Sequence, residues 1–164
     1  MPLRIAGHDL DPPRMKWLFT ALAFLAGALL PLQALVNARL GKATTGALFA
    51  SACSFLVGTL AIGVVLVLTR QPTPSLETLQ RLPAWTWVGG LLGAFFVCIA
   101  TLAVPRIGAA SLVALAVGGQ MVAALACDHF GVLQAPQPVS ATRLLGALLV
   151  LAGVLLVVQP WRAR

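Results

Sequence analysis

The sequence predicts an all-α integral membrane protein, a bundle of five transmembrane helices, and three observations carry that expectation. Five apolar stretches, residues 17–36, 47–68, 84–104, 109–127 and 144–158, contain no Asp, Glu, Lys or Arg. A run of about 18 or more such residues can cross the roughly 30 Å hydrocarbon core as a helix. The first four stretches reach that length, and the fifth does so with Arg143 and Gln159 at the interface. Only 9% of the residues are charged against 60% apolar, and the mean hydropathy is +0.97; soluble domains average about 25% charged residues. Finally, little of the chain lies outside these stretches and their short loops. The expected organisation is a flexible N-terminal tail over residues 1–15 and one transmembrane domain over 16–160. Its helices are expected at about 17–37, 46–69, 84–104, 108–128 and 142–159.

The first span opens behind Arg14 and Lys16 with Trp17 at the height of an aromatic belt. This start resembles a secretory signal, but the run is long, leads into Pro31, Gln33 and Asn37, and is followed by four more spans. Pro31 has no N–H and meets the carbonyl four residues back, so a kink and a freed Gly27 carbonyl are expected two residues before Gln33. Arg39, Gly41 and Lys42 are expected to form the first turn. The second span follows Thr44, Thr45 and Gly46 and carries Ser51, Ser54, Gly58 and Thr59 as a small-residue face. The connection over residues 70–83 is the longest, with Pro72, Pro74 and Pro83 bounding a short surface turn at 76–81.

The third span opens with Trp85 and Trp87, and its Gly89 and Gly93 sit four apart, a spacing that lets a neighbouring helix approach closely. Residues 104–108, Val-Pro-Arg-Ile-Gly, read as a tight reversal into the fourth span. That span holds Gly118, Gly119 and Gln120 at its middle, with Asp128 and His129 just past its end. A Pro-rich loop over 134–140 precedes the fifth span, whose Gly146 and Gly153 share one face.

The pI near 11.2 invites a nucleic-acid reading, but the basic residues are scattered over flanks and loops and never cluster. They belong at headgroup height, and the lipid bilayer rather than nucleic acid is the expected partner. With an odd number of spans the termini lie on opposite sides. Arg4, Arg14, Lys16, Arg70, Arg81 and Arg143 fall on the N-terminal side, and Arg39, Lys42, Arg106, Arg162 and Arg164 on the other. An excess of Lys and Arg normally marks the cytoplasmic side. Six against five is almost no excess. Two readings follow: a few dominant positions set one orientation, or the chain inserts both ways and pairs antiparallel with itself. Cys53, Cys98 and Cys127 lie inside apolar segments, where they act as small hydrophobic residues rather than a disulfide framework.

The polar residues inside the spans are Gln33, Asn37, Ser51, Ser54, Thr59, Thr101, Ser111 and Gln120. Hydroxyls can bond to the carbonyl of the preceding turn, whereas an amide facing lipid would leave donors and acceptors unmet. Gln120 therefore faces protein or water, either in an interhelical hydrogen bond or in a ligand site. Gln33 and Asn37 share one helical face beside Pro31, and broken, polar helix portions of this kind line transporter cavities. The expected substrate-binding residues are Gln120 with Gly118 and Gly119, and Gln33 with Asn37; Trp87 and Phe96 are expected as an apolar wall. No carboxylate lies in the middle of a span, which argues against simple proton/cation exchange. No Ser/Lys, Ser/His or paired-Asp constellation shares a span, and no His-Glu-x-x-His occurs, so no enzyme, cofactor or metal is expected.

Pro31-Leu32-Gln33 followed by Asn37-Ala38-Arg39-Leu40-Gly41 resembles the first-helix motif of the YdcZ-type membrane protein family. Residues 54–59 (Ser-Phe-Leu-Val-Gly-Thr), 87–94 (Trp-Val-Gly-Gly-Leu-Leu-Gly-Ala) and 105–110 (Pro-Arg-Ile-Gly-Ala-Ala) extend the resemblance. Gly119-Gln120 and Asp128-His129-Phe130-Gly131 complete it, in order, over roughly residues 27–158. The family is similar to one half of a ten-helix carrier of the drug/metabolite transporter superfamily, whose members hold two five-helix repeats of inverted topology. The resemblance thus implies a five-helix chain that pairs to complete a carrier, as an antiparallel homodimer or a heterodimer with a paralogous chain. It names no substrate. The functional expectation is a membrane transporter of small organic solutes working by alternating access, in the inner membrane. The competing reading is a non-transporting scaffold or accessory subunit of a larger membrane complex.

Overall fold

The computed structural model describes residues 12–132 and 135–160. Every regular element among them is helical: α1 Pro12–Ala43, α2 Ala47–Leu68, the short α3 Leu76–Gln80, α4 Val88–Ile107 entered through a 3-10 turn at Ala84–Trp87, α5 Ala109–Phe130 and α6 Ala141–Val158. Five of these helices are long and apolar enough to cross a membrane. The physical cause is plain: in lipid every backbone N–H and C=O must bond within its own segment, and only a helix does that for one span. The chain is thus an all-α membrane bundle of five spanning helices. Of the expected tail over residues 1–15, residues 1–11 lie outside the described part, and from Pro12 the chain is helical. Arg4, Arg162, Arg164 and Gln134 also lie outside the described residues.

Two expected turns are displaced. Arg39, Gly41 and Lys42 do not form the first turn; they complete the last turns of α1, which ends at Ala43. Nothing from Asn37 to Ala43 stops a helix, since one glycine costs only about 1 kcal/mol relative to alanine. Gly41 instead marks where α2 crosses: a Cβ there would lie 3.2 Å from the Gly46 carbonyl carbon and 3.3 Å from the Ala47 backbone. The reversal itself sits at Thr44–Gly46, with Gly46 at φ 123°. Likewise α4 runs through Pro105 to Ile107, and the chain turns at Gly108 alone, at φ 80° and ψ 160°, a region open essentially to glycine. Arg106 closes this helix end by donating from Nη1 to the Leu102 carbonyl at 2.7 Å.

Helices α1, α2 and α4 pack against one another, α5 packs on α1 and α4, and, among the described residues, α6 packs on α5 alone. The core is made of small residues: Ala34, Ala38, Ala100, Val104 and Leu112, with Ala103 and Ala109 against them. Without a hydrophobic drive between helices in lipid, close packing of small side chains is what holds such a bundle. Gly93 takes part, its position facing the Phe55 ring of α2 at 3.6 Å, whereas Gly89, Gly146 and Gly153 have nothing within 4 Å. The rest of the apolar surface faces outward, with Trp17, Trp85 and Trp87 among the exposed rings. In no span is more than 17% of the most apolar stretch buried within the chain, so lipid or other chains must cover the remainder.

At the N-terminal face, α5 reaches past the expected end and takes Asp128 and His129 into its last turn, closed by Gly131 at φ 66°. Arg143 at the start of α6 donates to Asp128 Oδ2 at 3.5 Å and to Gln137 Oε1 at 3.3 Å. The Gln137 N–H donates to the Asp128 carbonyl at 2.7 Å. Asp128 therefore ties the Pro-rich loop to the helix ends.

Candidate functional site

Helices α1, α4 and α5 converge on a cavity of about 110 Å³ within the membrane-spanning part of the bundle. Helix α1 presents Gly27, Leu30, Pro31, Ala34 and Asn37 to it, positions three or four apart that form one helical stripe, with Gln33 on its flank. Helix α4 contributes Phe96, Val97 and Ala100. Helix α5 contributes Leu112, Val113, Ala116, Val117 and Gln120, again one face at helical spacing. Pro31 supplies no N–H to the Gly27 carbonyl, and both residues line the cavity, so a backbone acceptor without its helical donor sits at the wall.

The wall is apolar with three carboxamides, Gln33, Asn37 and Gln120, and no ionisable side chain among its lining residues. Asn37 is the most enclosed of the three at 4% exposure. Its Nδ2 is buried and has no hydrogen-bond partner among the described residues. The two other buried polar residues among those described, Ser51 and Thr101, are each 2% exposed on the neighbouring helices. Asn37 and Thr101 both stand six residues before their helix ends, Ala43 and Ile107, and Ser51 stands four residues after the start of α2 at Ala47. At 1.5 Å per residue these depths are about 9 Å and about 6 Å from the same face, so the three form one polar layer. Thr101 satisfies itself by donating to the Val97 carbonyl at 2.8 Å. Ser51 Oγ, like Asn37 Nδ2, has no partner among the described residues.

Of the residues expected to bind substrate, Gln33, Asn37, Phe96 and Gln120 line this one cavity. Gly118 does not: it is buried against α6, where a Cβ would meet Val154 Cγ2 at 3.2 Å and Leu151 Cδ2 at 3.4 Å. Gly119 has nothing within 4 Å and is not part of the wall. Trp87 ends the 3-10 turn ahead of α4 and is 57% exposed, away from the cavity. Sequence reasoning overlooked the α5 stripe of Leu112, Val113, Ala116 and Val117, although its i, i+4 spacing ahead of Gln120 was available as a signal. Chemically, such a site can enclose an apolar body and hydrogen-bond a polar group, without a charge to hold an ion.

The family described as "Putative inner membrane exporter, YdcZ" matches residues 18–156. The chain belongs to this family. It is also 29% identical over 140 residues to "Inner membrane protein YdcZ" of Escherichia coli (strain K12), covering 84% of this chain and 94% of that protein. No solved structure matches. Membership in this exporter family, together with the five apolar helices, makes the chain an integral inner-membrane protein of transporter type. The cavity residues from Gly27 to Gln120 all fall within the matched region.

Proposed function

We propose that this protein exports a small, uncharged or amphipathic organic solute across the inner membrane, as an antiparallel dimer working by alternating access. The observation that carries the reading is the cavity walled by α1, α4 and α5, with three carboxamides and no charge among its lining residues. A cation or metal would be poorly held there, because desolvating an ion without a counter-charge is expensive. An apolar molecule with a polar group meets both surfaces it needs.

Size supports a paired assembly. An apolar void of about 150 Å³ takes up benzene, and about 110 Å³ in one chain is smaller than that. A second copy would bring a second set of amides to a common axis and complete ten helices. The six-to-five division of basic residues supports opposite orientations for the two copies.

The test is counterflow of labelled neutral and amphipathic solutes in vesicles reconstituted with the protein and with Gln120→Leu. The expected outcome is movement of some solutes above empty-vesicle rates, lost in Gln120→Leu while the variant still assembles. Rates equal to empty vesicles across a broad panel would favour the scaffold reading, and normal transport by Gln120→Leu would remove Gln120 from the site.

A further inference from the structure

Asn37 is the one asparagine of the chain, and it occupies a position that a structural role does not explain. A buried carboxamide in a helical bundle ordinarily earns its place through an interhelical hydrogen bond. Asn37 is 4% exposed, yet its Nδ2 finds no partner on α1, α2, α4 or α5 among the described residues. The Thr101 hydroxyl at the same depth donates to its own helix, and neither its oxygen nor that of Ser51 accepts a hydrogen bond from the amide. A buried donor that the protein leaves unmatched destabilises the fold, whereas an apolar side chain of similar shape at that place does not. The unfilled donor calls for a partner from outside this chain, and the cavity that Asn37 lines is where a solute would meet it.

We propose that Asn37 is the anchor of the solute site and that the solute presents it with an uncharged hydrogen-bond acceptor, a carbonyl or ether oxygen. This deepens the solute-carrier reading and rests on it. The donor and the wall together define the ligand class. The acceptor meets Nδ2 at the small-residue end of the cavity, beside Ala34 and Ala100, and the apolar body lies along Phe96, Val113 and Val117. Hydrocarbons of the same shape leave the donor unmatched and bind more weakly. Cations meet no carboxylate among the lining residues.

The single asparagine makes the test direct. Full-length protein with the asparagine side chain 15N-labelled gives one side-chain amide group in lipid nanodiscs, and this group is followed while cyclopentanone or cyclopentane is added. The expected result is a downfield shift of the Asn37 amide protons that saturates with the ketone and is absent with the hydrocarbon. Asn37→Leu is expected to unfold at the same temperature as the native chain or higher, to keep its assembly state and to lose the preference for the ketone. Asn37→Ser, a smaller group that still donates, is expected to retain part of that preference. The inference is overturned if Asn37→Leu unfolds at a clearly lower temperature, the signature of a structural hydrogen bond. It is also overturned if, in a second sample with the glutamine side chains 15N-labelled, glutamine amides shift with the ketone while Asn37 does not in the first; the carrier reading then stands with Gln120 or Gln33 as the anchor. If no amide responds and no solute moves in counterflow, the carrier reading fails and the anchor with it.

Discussion

Gly41 and Asn37 lie four residues apart on α1 and illustrate two opposite reasons for a residue in a membrane helix. Gly41 is there for what its neighbours need. Replacing it with alanine would add about 1 kcal/mol of helix propensity, but the new methyl would stand 3.2–3.3 Å from the backbone of Gly46 and Ala47. Backbone in a turn held at φ 123° cannot move aside as a flexible side chain can. Gly41→Ala is therefore expected to lower the unfolding temperature despite the better propensity, by an amount matching about 1–3 kcal/mol of overpacking. Thermal unfolding in nanodiscs checks this, and an unchanged or raised midpoint would show that the α1–α2 turn is loose. Asn37, in contrast, makes no hydrogen bond through its buried Nδ2 among the described residues, and the proposal above assigns that donor to the solute. Gln33 and Gln120 reach the same cavity from more exposed positions.

At the scale of elements, α6 is attached to the bundle through α5 alone among the described residues, and the seam runs through Gly118. A glycine in the middle of a spanning helix is there to let the partner helix close in, and here the partner supplies Leu151 and Val154. Gly118→Leu is expected to open this seam and lower the unfolding midpoint, the equivalent of about 1–3 kcal/mol. Gly93→Ala, whose methyl would reach only the Phe55 ring at 3.6 Å, serves as the control and is expected to hold or raise the midpoint. Equal effects of the two would contradict the seam. The spans themselves were legible because charge-free runs of this length have one structural solution in lipid. Their ends were less so. Thr44–Gly46 and Gly108 lie beside other residues that read equally well as turn formers, Gly41 in one case and Pro105 in the other. What decides between them is which glycine must adopt positive φ and which must admit a neighbouring helix, and neither is visible without the packing. The same limit divided the site. The amides Gln33, Asn37 and Gln120 were legible because their polarity is costly in lipid, whereas the glycines beside Gln120 carry no label for cavity or seam. Gly118 belongs to the seam.

For the molecule as a whole, the single chain buries little of itself. Its core consists of a handful of alanines with one valine and one leucine, and no span buries more than 17% of its most apolar stretch within the chain. Gly146 and Gly153 on α6 face nothing within 4 Å, which leaves a ready place for another helix to approach closely. The cavity of about 110 Å³ is small for an organic solute taken alone. The proposed assembly would put lipid around the outside of this chain and a second, inverted copy against its open side. Near-equal basic residues on the two faces are what permit that inversion, since no strong excess commits the chain to one orientation. The most direct measurement is the copy number of the purified protein in nanodiscs, taken together with the side of the membrane on which a C-terminal reporter is found in cells. The account predicts two copies per particle and reporter signal from both sides of the inner membrane. Signal from one side only, in a protein that still pairs, would contradict it.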